Sequence, residues 1–172
     1  MNILALETSS EACSCALFSS SGDSCERFER APRRHTRLIL GMVESLLAQL
    51  QMPLRELDCI AISHGPGSFT GVRIGMAVAQ GLALGADVPV TPVSSLRALA
   101  QGGLRRHQAK RVLAAFDARL GEVYAGAYRS DDQGLMQASL NDCLINPEQL
   151  KFHQSGTWTG MGSAWPVYDR QL

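Results

Sequence analysis

The stretch with the clearest chemical potential is the glycine-rich run from His64 to Gly75, H-G-P-G-S-F-T-G-V-R-I-G. Backbone amides at the start of a helix attract anions, so Gly65, Gly67, Ser68 and Thr70 are candidates for contact with a nucleotide or another anion. The run lacks the lysine of a P-loop, and its proline removes one amide donor. A tight turn without a ligand is therefore the alternative interpretation.

A second group of polar side chains lies in the run D-A-R-L-G-E-V-Y. Its charged and hydroxyl-bearing members are Asp117, Arg119, Glu122 and Tyr124. Carboxylates beside a cation and a phenol could carry out acid-base chemistry. The glycine between two apolar runs also indicates a hairpin turn, so a charged hairpin corner that braces the junction between two halves of the chain is the alternative.

Neither the histidines nor the cysteines have the spacing of a metal site. His64 and His107 each lack a second histidine at ligand spacing, so we expect loop or surface positions for both. The five cysteines are odd in number and form no C-x-x-C pair, which favours reduced thiols in a cytosol over a disulfide framework or a zinc site. We therefore predict no metal and a cytoplasmic location, with Cys13 and Cys15 filling core.

The composition is that of an ordinary soluble protein. The chain has 172 residues, 45% of them hydrophobic, with 16 basic and 16 acidic side chains, which fits one large domain or two small ones. Because the charges balance, the composition gives no sign that the chain binds a nucleic acid by itself through an excess of positive charge. The start of the chain has no basic n-region, and no stretch reaches the ~20 apolar residues of a membrane span, so we predict neither a signal peptide nor a membrane contact.

The apolar run that follows the glycine-rich loop predicts a helix from Thr70 to Gly85 with almost no polar face, since only Arg73 and Gln80 are strongly polar. Its small residues recur four apart in two rows, Gly71, Gly75, Ala79 and Ala83 in one and Ala77, Gly81 and Gly85 in the other. Small side chains at this spacing let another backbone approach closely. Two interpretations stay open: burial within one domain, or one row on the home sheet and another against a second subunit.

The remaining periodicities indicate strands and two further helices. Three short strands are predicted before Pro32, then a helix from Thr36 to Gln51 with a wide apolar stripe, and a strand before the glycine-rich run. A short strand from Pro89 to Val93 and two strands between Arg111 and Tyr128 follow. This coarse duplication of a β-β-β-α-β-α plan is typical of the actin-like ATPase architecture, an α/β fold with two lobes. We place the lobes at residues 1–93 and 94–172.

A third helix is predicted from Ser94 or Ser95, either of which can serve as its N-cap, to about His107. Its last turn holds Arg105, Arg106 and His107, which suit the negative end of the helix dipole. Contact with tRNA is the alternative role for this basic cluster.

Four motifs of this chain resemble one known family. They are L-E-T-S-S at Leu6 to Ser10, G-P-G-S-F-T-G-V-R-I-G at Gly65 to Gly75, V-S-S-L at Val93 to Leu96 and D-A-R-L-G-E-V-Y at Asp117 to Tyr124. Together they resemble TsaB, the bacterial accessory subunit for threonylcarbamoyladenosine formation on tRNA. The resemblance extends from Met1 to about Tyr168, and the family normally continues well beyond the length of this chain. We therefore expect the second lobe to be truncated here.

The resemblance implies a non-catalytic partner subunit for N6-threonylcarbamoyladenosine formation at position 37 of tRNAs that read ANN codons. It implies that a TsaD-like catalytic subunit is bound and activated through the first two helices and that a TsaE-like ATPase docks near that junction. Without TsaD, the same helices are expected to close on a second copy as a homodimer. We expect contact with tRNA only indirectly and no cofactor of the chain's own, with ATP or ADP held at most at a subunit junction.

The predicted partner interface takes its residues from both helices. The candidates are His35, Leu38, Met42, Leu46, Val72, Gly75, Met76, Ala79, Gln80 and Ala83. Replacing Gly75 or Ala79 by leucine is expected to abolish pairing while leaving the monomer folded.

The resemblance also bears on catalysis. The two histidines of the metal-binding helix in the catalytic paralogue correspond to Ser95 and Leu99 here, and leucine cannot ligate a metal. Glu7, Thr8 and Ser9 stand where actin-like ATPases keep a phosphate loop, but no aspartate is present to position metal-bound water. We therefore predict no catalytic residues. A stand-alone ATP-dependent transferase or a metallopeptidase-like enzyme is the alternative function.

Overall fold

The computed structural model describes residues 1–150, 152, 155–168 and 170–172. The chain divides into two compact units, Met1–Val93 and Ser94–Leu172. Each unit is built around one β-sheet.

The first unit contains five strands and two long helices. In chain order they are β1 (Ile3–Glu7), β2 (Ala12–Phe18), β3 (Ser24–Arg30), α1 (His35–Gln49), β4 (Cys59–Ser63), α2 (Phe69–Ala86) and β5 (Val90–Val93). The strands are arranged in the order β3-β2-β1-β4-β5, where β1 to β3 form an antiparallel meander and β4 and β5 run parallel to β1. The predicted sequence of elements is confirmed, with helix ends that differ by one or two residues.

The core of the first unit follows the period-two alternation of its strands. The buried residues include Leu4 and Leu6 of β1 and Ile60 and Ile62 of β4. Cys13 and Cys15 of β2 are buried as well, as predicted. On α1, the residues at helical spacing that complete this core are Ile39, Val43 and Leu46. The wide apolar stripe predicted for α1 therefore packs in part on its own sheet.

The second unit repeats the sheet plan of the first. Its elements are α3 (Ser95–His107), β6 (Arg111–Arg119), β7 (Glu122–Ser130), β8 (Met136–Ile145), β9 (Thr159–Met161) and the short helix α4 (Trp165–Tyr168). The strands are arranged as β8-β7-β6-β9, with β6 to β8 antiparallel and β9 parallel to β6. This arrangement matches β3-β2-β1-β4 in order and direction, so the predicted duplication is confirmed.

The N-termini of α2 and α3 begin where serine residues can cap them. Ser68 Oγ accepts a hydrogen bond of 3.3 Å from the amide of Gly71, and Ser94 Oγ accepts one of 3.1 Å from the amide of Arg97. Each contact satisfies one of the amides that a helix N-terminus leaves without a partner. Local sequence therefore determines where both helices begin.

Candidate functional site

The glycine-rich loop fixes the N-terminus of α2 against the end of β1. The amide of Ser68 donates a hydrogen bond of 2.6 Å to the carbonyl oxygen of Ser9. At Gly67, a Cβ would lie 2.9 Å from the Cβ of Ser9 and closer still to its carbonyl oxygen. Only glycine allows this approach between two backbones. The loop thus has a packing role that accounts for Gly67.

One small-residue row of α2 faces the sheet of its own unit. The buried residues of this helix are Gly71, Gly75, Ala79 and Ala83. A Cβ at Gly75 would overlap Thr8 Oγ1 and would lie 2.9 Å from Ile62 Cδ1. Because Gly75 has no side-chain atoms, α2 can lie directly on β1 and β4.

The opposite side of α2 is uncovered within the first unit. Only four of the 18 residues of this helix are buried, and Leu84 on its outer side is 87% exposed. Cβ atoms built at Gly81 and Gly85, members of the second small-residue row, meet nothing within 4 Å. By length and composition alone α2 could cross a membrane. However, the small-residue row that begins with Gly71 packs on the sheet. The outer side of α2 is therefore an apolar face that is open to a partner.

An aromatic ring and a cation extend this outer face at its N-terminal end. Phe69 is 72% exposed, and the guanidinium of Arg73 lies 3.3 Å from the centre of its ring. Arg73 Nη1 also donates to the Phe69 carbonyl oxygen at 3.0 Å. Stacked arginine and aromatic side chains are typical of protein interfaces, where they carry much of the binding energy.

Helix α1 adds a smaller exposed apolar area. Leu40 is 48% exposed, and a Cβ at Gly41 would meet open space. Leu38 and Met42 are half-buried beside it. We define the outer face as the exposed apolar and small residues of both helices, Leu40, Gly41, Phe69, Ala77, Gly81, Leu84 and Gly85.

Half of the predicted interface residues lie inside the first unit instead. They are His35, Leu46, Gly75, Ala79 and Ala83. Their assignment to a partner surface is wrong for the folded unit, because a side chain packed in its own core cannot contact another chain. Leu38, Met42, Val72 and Met76 are half-buried and Gln80 is exposed, so these five stay predictions.

The misassigned residues have definite roles within the unit. His35 is 6% exposed, and its Nε2 lies 3.1 Å from the carbonyl oxygen of Ala12. The side chain thus ties the start of α1 to β2. The small residues that the structure leaves exposed belong to the second small-residue row of α2, which includes Ala77 and Gly81. Sequence alone cannot decide which of the two rows is exposed, because both repeat every four residues.

The candidate anion site uses several of its polar groups internally. The Ser68 amide is bonded to Ser9, its hydroxyl caps α2, and its carbonyl accepts from the amide of Val72 at 2.9 Å. Gly65 is buried and Thr70 is exposed. Contact of this loop with a nucleotide stays a prediction.

The polar residues at the end of β1 are bonded to one another and to β4. Glu7 Oε1 accepts from the amide of Ser9 at 2.5 Å, and its other oxygen accepts from the Ser63 hydroxyl. These bonds hold the turn after β1 in a fixed conformation.

The D-A-R-L-G-E-V-Y motif forms the hairpin between β6 and β7. Asp117 Oδ1 accepts from the Arg119 amide at 2.8 Å, and Arg119 and Leu120 both have positive φ angles. Leu120 at the tip is fully exposed. The motif therefore shapes a tight turn, as the hairpin interpretation predicted.

Ser95 and Leu99, the two positions that we expected to correspond to metal ligands of the catalytic paralogue, lie on α3. Ser95 is 3% exposed, and Leu99 packs against the core of the second unit. Within the part of the chain that the structure describes, no group of three or more histidine, cysteine, aspartate or glutamate residues could hold a metal ion.

Two hydroxyl groups that share the carboxylate of Asp142 join α3 to the sheet of the second unit. Ser94 Oγ donates to Asp142 Oδ2 at 2.5 Å, and the Tyr128 hydroxyl donates to the other oxygen of Asp142. Burial, followed by this bond to a carboxylate, raises the pKa of Tyr128 well above its usual value. The phenol therefore stays protonated and serves as a structural donor.

Comparisons with known proteins identify close relatives. The profile of the TsaD family, described as tRNA N6-adenosine threonylcarbamoyltransferase, matches residues 29–158. The tRNA threonylcarbamoyladenosine biosynthesis protein TsaB of Escherichia coli is 44% identical over 171 residues, which cover 98% of this chain and 74% of the relative. The protein of the same name from Haemophilus influenzae is 42% identical, covering 99% of this chain and 75% of the relative.

Solved structures agree with these relationships. YeaZ from Pseudomonas aeruginosa superimposes with a TM-score of 0.93 at 42% identity and covers 98% of this chain and 79% of its own. Component A of (R)-2-hydroxyglutaryl-CoA dehydratase from Acidaminococcus fermentans has a TM-score of 0.50 at 11% identity, covering 85% of this chain and 48% of its own, a likeness of fold alone. With its duplicated sheet plan, the chain has the actin-like ATPase fold and belongs to the TsaB family of tRNA threonylcarbamoyladenosine biosynthesis proteins.

Proposed function

We propose that this chain is a non-catalytic subunit that binds and activates a TsaD-like catalytic subunit through α1 and α2. The product would be N6-threonylcarbamoyladenosine at position 37 of tRNAs that read ANN codons. The observation that carries the proposal is the outer face, whose Leu84 is 87% exposed on a helix with almost no polar side. Exposed apolar surface of this kind marks a protein interaction site.

The chemistry of the outer face fits a closely packed helical partner. Gly81 and Gly85 have open space above them, so the backbone of a second helix can approach α2 there without a clash. Phe69 and Arg73 would act as anchors at one end of the contact, and Leu84 at the other. In the absence of the catalytic subunit, the same face closes on a second copy of this chain.

The other parts of the proposal rest on the resemblance to the family. A TsaE-like ATPase docks near the junction with the catalytic subunit, ATP or ADP is held at that junction and not by this chain alone, and the complex works in the cytoplasm. The described residues supply no candidate metal group, and the chain is assigned no catalytic residue of its own.

The experiment is co-purification of a tagged TsaD-like subunit with the Leu84→Glu variant. A charge buried in an apolar contact is costly, so we expect the variant to lose pairing and to lose support of threonylcarbamoyl transfer, with its unfolding midpoint unchanged. Leu120→Glu is the matched control because Leu120 is also a largely exposed leucine but lies in the second unit. Normal pairing by Leu84→Glu, or threonylcarbamoyl transfer by the isolated wild-type chain, would contradict the proposal.

A further inference from the structure

Basic side chains crowd the turn that joins α3 to β6. Arg105, Arg106 and His107 end the helix, and Lys110 and Arg111 follow within four residues. No acidic residue occurs anywhere between positions 87 and 117. We call this group the basic corner.

Among the residues that the structure describes, no acidic side chain forms an ion pair with a cation of the basic corner. In the described part of the chain, the ion pairs join Arg30 to Glu11, Arg34 to Glu29 and Arg119 to Asp117. Arg105, Arg106 and Lys110 are exposed, and within the described residues they form no ion pair or side-chain hydrogen bond. Their charges are therefore available to a ligand.

The charges of Arg105, Arg106 and His107 suit the helix dipole, but hydrogen bonding to the end of α3 does not account for the whole basic corner. The C-terminus of α3 is closed by backbone groups, because the amide of Gln108 donates to Leu104 at 3.0 Å and the amide of Ala109 to Gly103 at 3.3 Å. These bonds satisfy carbonyl oxygens that arginine side chains could otherwise cap. Lys110 lies beyond the helix altogether.

The sheet places another positive charge at the same end of the unit. Arg111 of β6 lies directly opposite Arg129 of β7, so two arginines share one face of the sheet there. The nearby carboxylate of Asp131 is turned into its own hairpin, where it accepts bonds from the amides of Gln133 and Leu135 at 3.0 and 2.8 Å.

We propose that the basic corner binds the phosphate backbone of tRNA. Several point charges on an exposed turn, without an apolar centre, suit a polyanion whose phosphates are spaced along a flexible chain. The choice of tRNA as the polyanion rests on the proposed function. It adds a direct contact where the sequence led us to expect tRNA to be reached only through partner subunits.

The test compares two variants of the full chain that lose the same charge. One is R105Q/R106Q/K110Q, and the control is R55Q/R119Q/R170Q, which removes three exposed arginines elsewhere. Binding of unmodified tRNA is followed by fluorescence anisotropy at several salt concentrations. We expect the first variant to bind about tenfold or more weakly, with the slope of log K against log salt reduced by about 2, and the control to stay within about threefold of wild type.

The proposal is overturned if wild type shows no salt-dependent tRNA binding, if both variants lose affinity equally, or if the basic-corner variant matches wild type. Tighter binding of polyglutamate than of tRNA would also overturn it, because the partner would then be an acidic protein. Failure here is separable from failure of the proposed function. Leu84→Glu is expected to keep tRNA binding, and the basic-corner variant is expected to keep pairing with the TsaD-like subunit.

Discussion

Thr8 Oγ1 donates a hydrogen bond of 2.8 Å to the carbonyl oxygen of Gly71 and so joins the end of β1 to the first turn of α2. Thr8 is completely buried, and a Cβ at Gly71 would overlap its carbonyl oxygen. The two backbones are held in direct contact, and this contact determines which side of α2 faces the sheet. The outer face is what remains on the other side.

Replacing Thr8 by valine tests this contact. The change keeps the volume of the side chain but removes the hydroxyl, so we expect a loss of about 1 kcal/mol in the free energy of unfolding. Urea unfolding measures it. Thr36→Val, at an exposed position on α1, is the control and should change stability by less than about 0.5 kcal/mol. Equal effects at both positions would show that the bond to Gly71 does not stabilise the fold.

The glycines of α2 should respond in opposite directions to alanine. Gly75→Ala is expected to destabilise the protein by about 1–3 kcal/mol, because the new methyl group overlaps Thr8 and Ile62. Gly81→Ala should stabilise it by roughly 0.5–1 kcal/mol, because space is open there and alanine favours helix. Thermal unfolding of both variants is the measurement. If Gly75→Ala left the stability unchanged, α2 would not lie as close to the sheet as the structure shows.

The same geometry changes the expected result of a leucine at Gly75. The sequence alone predicted a folded monomer that fails to pair. Since Gly75 faces its own sheet, we now expect loss of folding first, and assembly is better tested on the outer face.

Ser94→Ala is expected to weaken the second unit. Ser94 Oγ both caps α3 and donates to Asp142, so we expect a cost of about 1–2 kcal/mol. Ser139→Ala, at an exposed position in β8, should be nearly neutral. Protection of α3 amides from hydrogen exchange should fall in the Ser94 variant alone, and unchanged protection would contradict the capping role.

The thiols of β2 should be unreactive in the native protein. Burial, with smaller contributions from neighbouring charges, raises the pKa of Cys15 to about 12 from 9.0, and burial also raises that of Cys13. Because thiolate is the reactive form, iodoacetamide at pH 8 should label the less buried Cys25 and Cys59 before either. Mass spectrometry with and without urea distinguishes them. Labelling of native Cys15 at the rate of Cys25 would contradict the structure.

The raised pKa of Cys15 makes the free energy of unfolding depend on pH. The pKa of Cys15 is higher in the folded state than in the unfolded state. Its contribution to the free energy of unfolding is therefore complete below a pH of about 9 and is lost as the pH rises toward 12. The stability difference between wild type and Cys15→Ala should therefore narrow above pH 9. If the difference widened with pH, folding would lower the pKa of Cys15 and not raise it.

Local patterns in the sequence were enough to predict most elements and the family. The alternation in β1 and β2 predicted strands, and the serines at the start of α3 predicted where that helix begins, because capping and strand periodicity involve neighbours along the chain. The duplicated plan could be inferred from the order of elements. The glycine motif and the hairpin motif at Asp117 identified the family because both encode tight backbone turns that tolerate few residues.

Tertiary structure alone decided which side of α2 is free. On an isolated helix, the row that contains Gly75 and the row that contains Gly81 have the same spacing and nearly the same composition, so no local property separates them. The position of Thr8, directly after a strand that is distant in sequence, determines which row is buried. The opposition of Arg111 and Arg129 likewise depends on strand register. Both are contacts between residues far apart in the chain, and only the packed structure determines these.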